Sequence, residues 1–85
     1  MNAKMSKDEV FAVVKKQILE VLFELPPDAV DRSKSLKDLG ANSIDRSEIA
    51  MASMEALGLN FPLRELAGIK NIEELVSTLH EKLGG

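Results

Sequence analysis

Apolar residues in this chain recur at spacings of three and four in separate runs, and no window alternates convincingly with period two. That pattern restricts the fold to helices packed through apolar stripes. Phe11, Val14, Ile18, Val21, Leu22 and Leu25 form the first stripe. Ser6 is placed to cap this helix, and Glu9 completes a capping box. Pro26-Pro27 should end it, since neither proline donates a helical hydrogen bond and each restricts its predecessor. A second helix is predicted from about Ser43 to Leu57, with Asn42 or Ser43 as N-cap and Gly58 as the residue that stops it. Phe61 to Gly68 predicts a short third helix, with proline near its start and glycine after its end. The fourth has Asn71 as cap, Glu74 in the first turn, and Ile72, Leu75, Val76, Leu79 and Leu83 as one stripe before Gly84. The expected fold is all-α: a small four-helix bundle with a long first connection, residues 26–42, and a short third helix. Val30, Leu36 and Leu39 should anchor that connection to the core. Its length predicts a function or a helical turn of its own.

At 85 residues the chain is expected to be a single domain, residues 1–85, with an economical core. A hydrophobic share of 45% against 29% charged residues excludes a disordered chain. The absence of cysteine excludes disulfides, thiolate catalysis and cysteine-ligated zinc. No stretch reads as a secretory signal or a spanning segment, so a soluble, cytoplasmic protein without a membrane partner is expected, acting as a monomer. The net charge of −3 weighs against nucleic acid. Charge is also unevenly placed. Residues 1–23 hold four Lys and three acidic residues, whereas residues 43–57 hold Asp45, Glu48 and Glu55 against Arg46 alone. An acidic helix suits a basic partner surface, and a merely solvated face would look the same.

Asp38-Leu39-Gly40-Ala41-Asn42-Ser43-Ile44-Asp45 places a serine where a glycine-containing loop runs into a helix. A hydroxyl there stands at the positive end of the helix dipole beside unpaired N–H groups, where a phosphate is favoured. Serine is also an ordinary N-cap, which alone would account for it. A hydrolase needs a base within reach of its nucleophile. The one histidine, His80, falls on the terminal helix, and Gly-x-Ser-x-Gly is absent. Neither catalytic nor metal-ligating residues are therefore expected. A helical adaptor, a binding module without a prosthetic group, stays open as a reading of these residues.

The string DLGANSIDRSEI closely resembles the Asp-Leu-Gly-x-Asp/Asn-Ser-Leu/Ile-Asp-x-x-Glu signature of acyl carrier proteins. The resemblance extends over nearly the whole chain, through the helix lengths, the long first connection and the Phe61-Pro62 approach to the third helix. It implies a bundle of acyl-carrier type and a 4′-phosphopantetheine arm on Ser43. It also implies a phosphopantetheinyl transferase that attaches the arm from Mg²⁺-bound coenzyme A, with Asp45 and Glu48 helping to recruit or orient that assembly. The helix after the serine is the family's main recognition surface. Asn42, Ile44, Asp45, Arg46, Glu48, Met51 and Glu55 inherit that role by position, although methionines at helical spacing are equally at home in a core.

Ala41-Asn42-Ser43-Ile44-Asp45-Arg46, Met54-Glu55-Ala56-Leu57 and the run from Pro62 to Ile72 are more narrowly similar to freestanding carriers of bacterial modular polyketide synthases. Among these they look like the donor carriers of β-branching cassettes. This resemblance implies an acetyl group delivered to an enzyme related to hydroxymethylglutaryl-CoA (HMG-CoA) synthase, after loading by acyltransferase or ketosynthase-type enzymes. The alternative is a general stand-alone carrier of fatty-acid or other polyketide synthesis. Arg46 and the weakly acidic Met54-Glu55-Ala56 depart from the fatty-acid pattern. Because its charge opposes the helix dipole, Arg46 is expected to be a selectivity element, or else a solvated arginine or one paired with Asp45 or Glu48.

Overall fold

The computed structural model describes residues 5–84. They form three α-helices, α1 (Lys7–Val21), α2 (Ser43–Ala56) and α3 (Ile72–Lys82), with 3-10 turns at Pro27–Ala29 and Leu63–Leu66. The helix starts follow their capping chemistry. Ser6 Oγ accepts from the Glu9 N–H at 3.1 Å, while the Glu9 carboxylate accepts from the Ser6 N–H at 2.8 Å. Asn71 Oδ1 accepts from the Glu74 N–H at 2.8 Å at the head of α3. Each pair satisfies donors that the first helical turn would otherwise leave open.

Helix α1 lies against both other helices and supplies the centre of the core through Val10, Val14 and Ile18, all fully buried. Val10 was not in the expected stripe. Phe11, which was, packs at the core edge with the Arg32 guanidinium 4.9 Å from its ring centroid. Ile72, Leu75, Val76 and Leu79 cover the core from α3 as their spacing predicts, and Leu83 packs at its margin. Helix α2 contributes Ile49, Ser53 and Met54. Helix α1 stops at Val21, well before Pro26-Pro27. Leu22 leaves helical geometry (φ −105°, ψ 65°), and the turn that follows packs Leu22 and Leu25 onto the core while Phe23 stays outside.

The expected four-helix bundle is corrected to three α-helices among the described residues. The segment from Phe61 to Gly68 makes one 3-10 turn, not a helix. Pro62 and Ala67 are both extended and bracket only four helical residues, too few to propagate an α-helical ladder. The Glu65 N–H bonds to the Pro62 carbonyl at 3.0 Å, while Leu63 and Leu66 rest on the core. A Lys82–Glu65 ion pair ties this turn to the end of α3.

The long connection is anchored by Val30, Leu36 and Leu39, as expected, and contains its own 3-10 turn. It also caps α3 from outside, with Arg32 and Lys34 carbonyls accepting from the Glu73 and Ile72 N–H groups at 2.8 Å each. Arg32 bonds Glu73 on α3 at 2.7 Å and Asp8 on α1 at 2.8 Å. Among the described residues no helix is long and apolar enough to cross a membrane.

Candidate functional site at the start of α2

The chain reaches α2 through a tightly bonded turn. Ser35 and Asp38 cap it reciprocally: the Asp38 carboxylate accepts from the Ser35 N–H at 3.1 Å, and Ser35 Oγ accepts from the Asp38 N–H at 2.9 Å. The Ser35 N–H, and the Ser35 hydroxyl after it, hold the Asp38 carboxyl below the usual carboxylate range. The Ala41 N–H then bonds back to the Leu36 carbonyl at 3.0 Å, across Gly40. Gly40 has φ +97°, a left-handed conformation that glycine adopts without strain. Ala41 is buried, and its carbonyl accepts from Arg46 Nη1 at 3.1 Å. The residue two before Ser43 is thus held by its N–H, its carbonyl and its methyl group.

Asn42, not Ser43, is the N-cap. Its Oδ1 accepts from the Asp45 N–H at 2.8 Å, and the Asp45 carboxylate accepts from the Asn42 N–H at 3.2 Å. Ser43 is the first residue of α2, exposed, and takes no part in the cap. Its hydroxyl stands in solvent where the helix dipole is positive and the N–H groups of Ser43 and Ile44 have no carbonyl partner within the helix. These residues fit a phosphodiester-linked group. The oxygen to be modified is accessible, and the capping bonds that fix the helix start do not depend on it.

The residues expected to dock partners do not share one surface. Ile44, Glu48, Met51 and Glu55 are exposed along one side of α2, with Ile44 at 71% and Met51 at 53% of full exposure. Asn42 and Asp45 are committed to the cap, although Asp45 also borders the cleft on that side. Arg46 lies on the opposite flank, half-buried, and its bond to Ala41 leaves it in no ion pair with Asp45 or Glu48 among the described residues. Met54, which its spacing puts beside Ile44 and Met51, is buried.

A cleft runs along each flank of α2. One, of about 640 Å³, lies between Arg46, Ser47 and Ala50 of α2 and the apolar side chains of Leu36, Leu63, Leu66 and Ile69. Ser43 stands three and four residues before Arg46 and Ser47, so it heads this flank. The other, of about 590 Å³, separates Glu48, Met51 and Glu55 from Glu20, Val21 and Phe23 at the end of α1. Sequence reasoning missed Phe23, and it named Asp38 only as part of the motif, without its turn-capping role. Phe23 stands off the α1 stripe between two glutamates' turns, and Asp38 stands three residues after a serine, the spacing of a cap. His80 lines neither cleft.

Comparison with known proteins agrees with this geometry. The family model described as phosphopantetheine attachment site matches residues 15–79. The chain is 42% identical over 79 residues to the polyketide biosynthesis acyl-carrier-protein AcpK of Bacillus subtilis, covering 93% of this chain and 96% of that protein. It is 30% identical over 79 residues to the acyl carrier protein of Thermotoga maritima, covering 93% and 98%. Among solved structures it matches a chain in the crystal structure of the curacin biosynthetic pathway HMG synthase in complex with acetyl donor-ACP. The TM-score is 0.85 and the identity 44%, over 91% of this chain and 99% of that one. These relatives are carriers, which hold a reacting group for other enzymes and do not themselves catalyse. The helical architecture, the matched family model and the full-length relatives together place this chain in the acyl carrier protein family, whose prosthetic group is 4′-phosphopantetheine.

Proposed function

We propose that Ser43 carries the phosphopantetheine arm and that the chain is an acetyl donor for β-branching in polyketide synthesis, delivering to an HMG-synthase-like enzyme. The observation that carries the attachment site is the division of labour at the start of α2. Asn42 and Asp45 make the cap, and Ser43 is left exposed beside it. The bound arm supplies a terminal thiol on which an acyl group is held as an activated thioester. This chain's residues fix where the arm is rooted and which surface surrounds it, raising the effective concentration of the cargo at whichever enzyme has docked.

The donor role is supported by the solved complex. A chain matched over 99% of its length by a carrier this small is the donor-ACP there and not the synthase. The AcpK relative supports polyketide synthesis. Relatives described only as acyl carrier protein, at 27% to 39% identity, favour a general stand-alone carrier as the second reading. A phosphopantetheinyl transferase and an acyltransferase or ketosynthase-type enzyme complete the proposed partners, with docking through Ile44, Glu48, Met51 and Glu55.

The test is a transfer assay with the holo, acetyl-loaded protein, an HMG-synthase-like enzyme and a β-ketoacyl acceptor. The donor reading requires acetyl delivery, and Glu48→Lys should impair it with little change in melting temperature. Exposed substitutions usually cost within about half a kcal/mol. Delivery to fatty-acid-type enzymes alone would favour the general carrier.

A further inference from the structure

Among the described residues the large hydrophobic side chains left exposed are Phe23, Ile44 and Met51, and Phe23 is the most open of them at 79%. Phe23 does not belong to α2. It sits just past the end of α1, where Leu22 leaves helical geometry and the following residues turn back to the core. The cleft between α1 and α2 brings Phe23 and Met51 to opposite walls. Four carboxylates line the same cleft, Glu20 from α1 and Asp45, Glu48 and Glu55 from α2, and among the described residues neither Lys nor Arg lines it.

We infer that Phe23 is the apolar anchor by which the acyl-processing enzyme grips this chain, and that the docking surface spans the α1–α2 cleft instead of following α2 alone. This rests on the donor reading above. The occupant is an enzyme surface that carries Lys or Arg side chains around an apolar pocket. An aromatic side chain set within a charged rim is the arrangement in which a few residues carry most of a binding energy. A second copy of this chain would bring carboxylates against carboxylates, which opposes self-association. The anchor also has a geometric consequence. Contact along one helix leaves rotation about that helix axis weakly defined, whereas a second contact on α1 fixes it. That rotation determines where an arm rooted at the first residue of α2 points.

The test measures acetyl delivery to an HMG-synthase-like enzyme as a function of carrier concentration for holo, acetyl-loaded wild-type protein, Phe23→Ala, Phe23→Leu and Glu20→Lys. Glu81→Lys, an exposed position on α3 outside both clefts, is the control for the charge change. Phe23→Ala should raise KM about tenfold, in the range that truncating an interface anchor produces. Phe23→Leu should recover part of the loss, Glu20→Lys should raise KM with a weakened salt dependence, and melting temperatures should not move. An unchanged KM in Phe23→Ala overturns the inference and leaves the donor reading standing. Wild-type protein that delivers no acetyl overturns the donor reading and the inference with it. Wild-type protein that sediments as a dimer, with Phe23→Ala a monomer of unchanged KM, assigns the face to a second copy and likewise overturns it.

Discussion

Ser43 is set apart from the nearby hydroxyls by their bonds, their burial or their place in the helix. Ser35 accepts from the Asp38 N–H, and Ser33 donates to Asp31 at 2.7 Å. Ser53 is sealed in the core, and Ser47, though exposed, lies a full turn inside α2, so Ser43 alone stands exposed at the first position of the helix with the capping done by its neighbours. The flanking motif made this serine legible in the sequence. What the motif left open was whether Asn42 or Ser43 caps the helix, because both side chains suit that position and only the backbone path from Gly40 decides between them. Ser53 was not legible at all, since a serine inside a helix gives no signal of its depth. Its Oγ is buried without a hydrogen-bond partner. Leaving such a group unsatisfied costs about 1–3 kcal/mol. Ser53→Ala is therefore expected to raise stability by about 1 kcal/mol in urea titration, and a loss of stability would show that the hydroxyl finds a partner in solution.

Among the elements, α3 was the easiest to anticipate, because its cap and its apolar stripe agree over its whole length. Leu79 is fully buried in that stripe, so Leu79→Ala should cost roughly 2–5 kcal/mol, read as a lower denaturant midpoint. A cost below about half a kcal/mol would mean that the helix face is misassigned. The third segment was harder. Proline, two leucines and glycine at helical spacing fit an α-helix or a single 3-10 turn equally well, and its short length settled the matter. The role of Arg32 was invisible, because its partners Asp8 and Glu73 are far away in sequence. Its hydrogen bond holds the Glu73 carboxyl below the usual glutamate range. A carboxyl lowered in the folded state contributes stability that is fully present above the ordinary value, about 4.3, and is lost as pH falls through the lowered one. Glu73→Gln should thus melt below wild type at pH 7 and converge with it as the solution is acidified below about pH 4. A gap that stays constant across that range would exclude the ion pair as its cause.

At the scale of the whole molecule, the core and the proposed site draw on different residues. Helix α1 and α3 bury the centre, the long connection caps α3, and α2 lends one side to that core while leaving its start and its Ile44–Met51 face outside. A carrier needs this separation, since its surface must change partners and its cargo while its fold does not change. The composition of α2 hints at it, with one apolar side too weak to be only a packing surface, but the split between outward Met51 and buried Met54 requires the structure. The carrier role requires one covalent attachment, an arm on Ser43 of the intact protein. Intact-mass measurement after incubation with coenzyme A, Mg²⁺ and a broad-specificity phosphopantetheinyl transferase tests it directly. Wild-type protein should gain the mass of one arm, while Ser43→Ala should keep its helical circular dichroism and gain none. An arm added to Ser43→Ala at another serine would contradict the account, as would a folded wild-type protein that accepts no arm.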